Sequence, residues 1–162
     1  MARTAPVGLA PEPRTTNLVC MAGAHDPGGN KRILLVDDDP DMRESLAEAL
    51  EEVGYTVDRA GNDQEALQKL RSHTEPERPI TVLLDLLMPV MNGWQFCQLK
   101  RRDPAVADIP VIAMSGAVSR DPQSPYFIEV EDFLAKPVQF EDLLHKLEAV
   151  TVAARQRPVL VG

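Results

Sequence analysis

The sequence has too few cysteines for a disulfide-stabilised fold and no apolar run long enough to cross a bilayer. Its two cysteines, Cys20 and Cys97, fit neither a disulfide framework nor a metal motif, and Cys97 is expected to be a small core residue. The N-terminus carries Arg3 and Arg14 without an apolar core between them, which argues against a secretory signal. A membrane-spanning helix needs roughly 20 apolar residues. We therefore expect a cytoplasmic protein that does not associate with membranes.

The sequence also lacks an excess of positive charge. It has 25 acidic against 17 basic residues, a formal net charge of −8. This balance disfavours non-specific binding to nucleic acid or to an anionic membrane. Hydrophobic residues nevertheless make up 44% of 162 residues, enough for one ordinary domain with a real core. We predict one folded domain without a nucleic-acid partner.

Composition divides the chain into an arm, a domain and a tail. Residues 1–30 contain four prolines, several glycines and no sustained periodicity, which is typical of a disordered arm. Periodic hydrophobic residues then continue from 31 to about 152, so residues 31–152 are predicted to fold and residues 153–162 to form a tail. The sequence has no internal repeats, and too little follows for a second domain.

Short apolar runs alternate with segments of helical periodicity. The runs predict strands over residues 33–36, 55–60, 81–84, 109–114 and 132–135. Strands that alternate with helices imply a parallel sheet covered on both faces and joined by right-handed crossovers. The predicted fold class is therefore α/β, a doubly wound parallel sheet.

The helices carry recognisable start signals. Asp39 before Pro40 is a typical N-cap and first-turn pair, and Asn62 with Glu65 three residues later is a capping box. The first helix has apolar residues at helical spacing, followed by a glycine stop signal: Met42, Leu46, Ala49, Leu50 and Val53, then Gly54. A third helix is predicted from residue 93 and a last one from residue 140, whereas residues 117–130 fit no regular element.

One aspartate is out of place in this pattern. Asp85 directly follows the apolar run at residues 81–84, and burying an ionised carboxylate is unfavourable unless it is paired or bound to metal. A helix cap is a poor explanation, because Pro89 disfavours the helical conformation at Met88. Asp85 therefore belongs at the carboxyl edge of a buried strand, where open α/β sheets bind ligands.

Polar residues follow four of the predicted strands, and carboxyl ends of parallel strands share one edge. Taken singly, each could be a loop, turn or solvated residue. Taken together, close carboxylates favour Mg²⁺, and a carboxylate can attack phosphorus to form an aspartyl phosphate. A phosphoryl transition state needs positive charge and donors, which the metal, an ammonium and a hydroxyl supply. The residues are Asp37 and Asp38, Asp85, Ser115 and Lys136, with Asp39 assigned only to the helix cap.

These motifs resemble the receiver domain of bacterial response regulators. The matching segments are residues 35–40, 84–93, 109–116 and 133–137. They occur in order within about residues 31–152. The resemblance implies a flavodoxin-like, five-stranded sheet and a single-domain, chemotaxis-type phosphoacceptor of a two-component or phosphorelay system. It implies no enzyme beyond the domain's own phosphotransfer and dephosphorylation.

The resemblance also assigns roles around the phosphoacceptor. It implies that Asp85 is phosphorylated by a histidine kinase or a histidine phosphotransfer protein, and that the phosphorylated form binds an unknown protein target. Mg²⁺ would be held by Asp38, Asp85 and the Leu87 backbone carbonyl, with Asp37 helping mainly through water.

Three further residues receive switch or contact roles from the resemblance. Ser115 would be the switch hydroxyl and Phe133 the aromatic switch residue, although Phe133 alone reads as a core aromatic. Lys136 would contact the phosphoryl group, and its peptide bond to Pro137 would be cis.

The sequence departs from the family in two places. Two prolines and no glycine in residues 120–131 argue against a regular fourth helix. We predict a short, displaced or partly irregular one, beginning near Pro125 if it forms. Leu87, two residues after Asp85, has no polar side chain to position an attacking water.

Other functions fit less well. Aspartate-nucleophile phosphohydrolases usually carry a second Asp two residues after the nucleophile, where this chain has Leu87. A phosphorylation-independent structural module would not need Asp85, Asp38 and Lys136 together. A nucleotide-binding flavodoxin-like protein is unsupported, because the glycine pair at residues 28–29 precedes the first strand instead of following it.

Overall fold

The computed structural model describes residues 29–87, 93–116, 121–124 and 127–156. The strands are β1 (Arg32–Val36), β2 (Thr56–Ala60), β3 (Thr81–Asp85), β4 (Val111–Ser115) and β5 (Asp132–Ala135). The helices are α1 (Pro40–Glu52), α2 (Asp63–Ser72), α3 (Gly93–Arg102) and α4 (Phe140–Arg155). None of these helices is long and apolar enough to cross a membrane.

The five strands form one parallel sheet in the order β2-β1-β3-β4-β5. This confirms the predicted doubly wound α/β architecture. The register places Val36 of β1 beside Leu84 of β3. An aspartate follows each of these two residues, so Asp37 and Asp85 lie side by side at the carboxyl edge of the sheet.

Both faces of the sheet are buried. Along β1, Leu34 and Val36 pack in one apolar cluster with residues of α2 and α3, whereas Ile33 and Leu35 pack in a second cluster with residues of α1 and α4. A strand covered on both faces carries an unbroken apolar run, not an alternating one. This explains why β1 and β3 could be predicted from their sequences.

Helix α1 is capped as predicted but buries fewer residues than its apolar spacing indicates. The Asp39 carboxylate accepts hydrogen bonds from the backbone N–H groups of Asp41 and Met42. Gly54 follows the helix with φ +94°, a conformation that favours glycine. Met42 and Val53 share the apolar spacing, yet they are 55% and 43% exposed. They lie at the ends of the helix, and its fully buried residues are Ala47 and Leu50.

Helix α2 begins with the predicted cap. The Asn62 side chain accepts a hydrogen bond from the Glu65 N–H at 2.8 Å, and the Glu65 carboxylate accepts one from the Gly61 N–H at 3.0 Å. The predicted apolar side of the helix, Ala66, Leu67 and Leu70, is buried. The loop between β2 and α2 is thereby tied to the first turn of the helix.

Residues 121–124 and 127–130, between β4 and β5, contain no helix. They form turns in which the Ser124 N–H donates to the Asp121 carbonyl and the Phe127 N–H donates to the Ser124 carbonyl. The indole N–H of Trp94 on α3 donates to the Phe127 carbonyl at 3.0 Å. The predicted irregularity is thus observed in these residues, while Pro125 lies outside the described ones.

The buried thiol of Cys97 should be unreactive in the folded protein. Its side chain is buried as predicted, and burial raises the pKa of the thiol to about 12. Since the thiolate is the reactive form, we expect a Cys20→Ser variant at pH 8 to react with an aromatic disulfide at least about 100-fold more slowly when native than when unfolded. Absorbance of the released thiolate measures both rates. Equal rates would show that Cys97 is accessible in the folded state.

Candidate functional site

Three aspartates meet at the carboxyl edge of the sheet. Asp37 and Asp38 follow β1, and Asp85 ends β3. One carboxylate oxygen from each lies within 4.8 Å of the other two. Asp37 and Asp85 are each only 4% exposed, and Asp38 is partly buried. The parallel sheet therefore brings together the three carboxylates predicted from the sequence.

Asp37 is held by hydrogen bonds on its backbone and side chain. Its N–H donates to the Ala60 carbonyl, its carbonyl accepts from Arg43 Nη1 at 2.7 Å, and its carboxylate accepts from the Asp39 N–H at 2.9 Å. Burial raises the pKa of its carboxyl, the Asp39 amide lowers it, and the charge of Asp85 raises it again. The net effect is to raise the pKa of Asp37 above its usual value, with burial as the largest cause.

Asp85 is bonded through both carboxylate oxygens. Its Oδ2 lies 2.8 Å from the Lys136 ammonium, and its Oδ1 accepts from the Leu87 N–H at 3.0 Å. Lys136 follows β5, where its own N–H donates to the Ser115 carbonyl. The Lys136–Pro137 peptide bond is cis, as the resemblance implies. The Leu87 side chain is 58% exposed and takes no part in these bonds.

The two predicted switch residues lie on the neighbouring strands β4 and β5. Ser115 ends β4 and is buried, and in the sheet it pairs with Ala135, the residue before Lys136. Phe133 on β5 is half-buried and packs against the same apolar cluster as Trp94. Its packing fits the simpler interpretation as a core aromatic, and its switch role stays a prediction.

The charge of the cluster suits a hard divalent cation. Three carboxylates are close together, and Lys136 pairs with one of them, Asp85. Like charges at such distances repel strongly where water is excluded. The donors are all carboxylate oxygens, the ligand type that Mg²⁺ prefers. The residues present therefore fit Mg²⁺.

Two contacts, one at the site and one between α3 and the segment before β5, were not predicted from the sequence. Arg43 bonds the Asp37 carbonyl, and Trp94 ties α3 to the segment before β5. The sequence weakly indicated a partner for Arg43, because a basic residue near a helix N-terminus is disfavoured by the helix dipole unless another group pairs with it. Trp94 carried no such signal, since its partner lies 33 residues away.

Comparison with known sequences points to one family. A family model described as response regulator receiver domain matches residues 33–148. Response regulator receiver protein CpdR of Brucella abortus is 35% identical over 130 residues, which cover 76% of this chain and 99% of that protein. The alkaline phosphatase synthesis transcriptional regulatory protein SphR of Synechococcus elongatus is 31% identical over 136 residues. That alignment covers 78% of this chain but 51% of SphR, so the chain spans about half the length of this regulator.

Solved structures show the same fold. The signal receiver domain of a signal transduction histidine kinase from Syntrophus aciditrophicus superposes with a TM-score of 0.65 at 28% identity, covering 82% of this chain and 98% of that one. The chemotaxis response regulator CheY4 of Vibrio cholerae superposes with a TM-score of 0.62 at 27% identity, covering 74% of this chain and 97% of that one. Both are receiver domains of the flavodoxin-like fold.

Proposed function

Because this chain belongs to the response regulator receiver domain family of two-component signalling, we propose that Asp85 accepts a phosphoryl group from a phosphohistidine donor. The family consists of signalling phosphoacceptors, not classical enzymes, and its members interact with histidine kinases or phosphotransfer proteins. The observation that carries the assignment is the position of Asp85, buried among two further carboxylates and 2.8 Å from the Lys136 ammonium.

In the proposed reaction, a carboxylate oxygen of Asp85 attacks the phosphorus of the donor. An oxygen–phosphorus bond forms as the nitrogen–phosphorus bond breaks, and the donor imidazole leaves with the nitrogen's electron pair. Lys136 stabilises the negative charge on the transferring group and then pairs with a phosphoryl oxygen. The Ser115 hydroxyl donates to another oxygen once its loop has moved toward the phosphoryl group.

The proposed Mg²⁺ ligands are Asp38, Asp85 and the Leu87 carbonyl, with Asp37 acting through water. The metal supplies positive charge that offsets the carboxylates and the phosphoryl oxygens. The protein's own contribution is to hold the carboxylates in place before the ion arrives. The hydrogen bonds to Asp37 and the bond from the Leu87 N–H to Asp85 do this.

Phosphorylation is proposed to shift the equilibrium between two arrangements of Ser115 and Phe133 and so to change a protein-binding surface. Such a shift requires the phosphoryl group to interact better with one arrangement than with the other. The partners are a cytoplasmic kinase or phosphotransfer protein and an unidentified protein target, without nucleic acid or membrane. Residues 31–152 form the proposed receiver, flanked by an arm at 1–30 and a tail at 153–162.

The proposal is tested with acetyl phosphate as a small phosphodonor. In the presence of Mg²⁺ the protein should gain one phosphoryl group by intact-mass analysis. Hydroxylamine, which cleaves acyl phosphates, should remove it, and chelation of Mg²⁺ should prevent it. A folded protein that gains no group, or a label that resists hydroxylamine, would contradict an aspartyl phosphate.

Asp38 and Asp39 should separate metal binding from helix capping. Asp38 contributes an oxygen to the carboxylate cluster, whereas the Asp39 carboxylate caps α1. We expect Asp38→Ala to weaken Mg²⁺ binding by at least about 10-fold. Asp39→Ala should leave the affinity nearly unchanged but lower the free energy of unfolding by about 1 kcal/mol. Calorimetric titration and urea unfolding measure the two effects, and equal Mg²⁺ affinities would refute this division of roles.

A further inference from the structure

The positive charge of Arg43 is electrostatically disfavoured by its position on α1. Arg43 lies near the N-terminus of α1, where the helix dipole disfavours positive charge, and close to a site proposed to bind a cation. Its guanidinium donates from Nη1 to the Asp37 carbonyl at 2.7 Å. The same group sits over Gly61, where an added Cβ would lie 3.2 Å from Nη1. Arg43 therefore spans the gap between the β1–α1 and β2–α2 loops.

The loop beyond Gly61 is itself fixed. The Gly61 N–H donates to the Glu65 carboxylate, which also pairs with Lys69 at 2.9 Å. These two contacts lower the pKa of Glu65, and Arg43 lowers it further. The guanidinium thus has an ionised carboxylate near it on one side and the Asp37 carbonyl on the other.

The contact with Asp37 bears directly on Asp38. The Asp37 carbonyl belongs to the peptide unit that joins Asp37 to Asp38. Fixing that carbonyl fixes the plane of the peptide, and with it the direction in which the Asp38 side chain leaves the backbone. The Asp37 N–H and carboxylate are bonded elsewhere, so Arg43 supplies the restraint on the carbonyl side.

We propose that Arg43 is a positioning residue: it holds the Asp37–Asp38 peptide so that the Asp38 carboxylate meets those of Asp37 and Asp85 in the geometry that Mg²⁺ needs. The inference rests on the proposed function of that cluster. Mg²⁺ tolerates little departure from octahedral geometry, so preset ligands contribute strongly to its binding.

The direction in which Mg²⁺ affinity changes when Arg43 is replaced distinguishes this positioning role from a purely electrostatic effect. By charge alone, the guanidinium repels a divalent cation, and its removal should tighten Mg²⁺ binding. As a positioning residue, its removal should loosen the peptide and weaken Mg²⁺ binding. Arg43→Met keeps most of the side-chain stem and removes both the charge and the donors.

We expect Arg43→Met to weaken Mg²⁺ binding by about 10-fold, the range typical for groups that orient metal ligands. In the metal-free protein, hydrogen exchange at the Asp39 amide, which bonds the Asp37 carboxylate, should accelerate. The amide of Leu50, a fully buried residue of α1, serves as the internal reference. Arg59→Met is the matched control. It removes an equal charge from a side chain that pairs with Glu44 and Glu51.

Unchanged or tighter Mg²⁺ binding in Arg43→Met would overturn the inference, and so would equal weakening in Arg59→Met. If Arg43→Met does not fold, Arg43→Gln takes its place under the same expectations. Failure of the unsubstituted protein to bind Mg²⁺ would overturn the proposed metal site and this inference with it, whereas the variant results decide the inference alone.

Discussion

Replacing Asp85 with asparagine should abolish phosphorylation by acetyl phosphate. The asparagine side chain has nearly the same shape, and its oxygen can still accept from the Leu87 N–H. Its amide is not a nucleophile toward phosphorus, so we expect labelling to fall by more than about 100-fold, to background. Intact-mass analysis of both proteins under identical conditions measures the loss.

Asp58→Asn is the control for Asp85→Asn. Asp58 is also an aspartate of the β-sheet; it lies on the edge strand β2, is partly buried, and its carboxylate lies 2.9 Å from Arg32. It is not one of the three residues of the carboxylate cluster. The control variant should be labelled like the unsubstituted protein. If Asp85→Asn were labelled equally well, the phosphoacceptor would be another residue.

Removing the Lys136 ammonium should destabilise the metal-free protein. The Asp85 side chain is 5% exposed and pairs with Lys136 at 2.8 Å, and two further carboxylates lie beside it. Breaking a fully buried pair typically costs roughly 3–5 kcal/mol. Since the Lys136 side chain is 31% exposed and partly screened, we expect about 2 kcal/mol for Lys136→Met, measured by urea unfolding at pH 7 with a chelator.

The effect of Lys136→Met should depend on pH and on Mg²⁺. Burial raises the pKa of Asp37 in the folded protein, so its ionisation lowers stability above that pKa. This loss diminishes as the pH falls from the folded pKa towards the ordinary value of an aspartate. The variant should therefore regain stability toward acid pH, and saturating Mg²⁺ should restore part of the lost stability at pH 7.

Lys146→Met is the control, because Lys146 pairs with the more exposed Asp132 and its removal should cost at most about 1 kcal/mol. Equal losses in both variants would contradict a special role for Lys136 in the cluster.

Most of the fold was predictable because its signals are local. Asp39 and Asn62 cap helices through atoms two or three residues away. The strand runs are apolar because both faces of the sheet are covered. Which residues of α1 are buried was less predictable. Helical periodicity shows which side of a helix is apolar, but it does not show how much of that side the sheet covers. Met42 near the start of the helix and Val53 at its C-cap are exposed.

The candidate site was predictable where topology alone brings residues together. Asp37 and Asp85 must meet once β1 and β3 pair in parallel. The contribution of Arg43 could not be predicted, because it depends on where a long side chain finds an acceptor in three dimensions. The same holds for Trp94: two prolines indicated an irregular segment, but nothing local indicated that an indole on α3 would bond its Phe127 carbonyl.

The strand order also determines when during folding the carboxylates meet. β1 pairs with β3, not only with the neighbouring β2, and this pairing closes a loop of about 50 residues. The local β1–α1–β2 unit contains Asp37 and Asp38 but not Asp85, so it forms without the full repulsion. The full repulsion arises only with the non-local pairing of β1 and β3. Pairing between segments far apart in sequence slows folding. A bound cation should therefore act mainly on the unfolding rate, and the unfolding limb of a chevron plot is where its effect is expected.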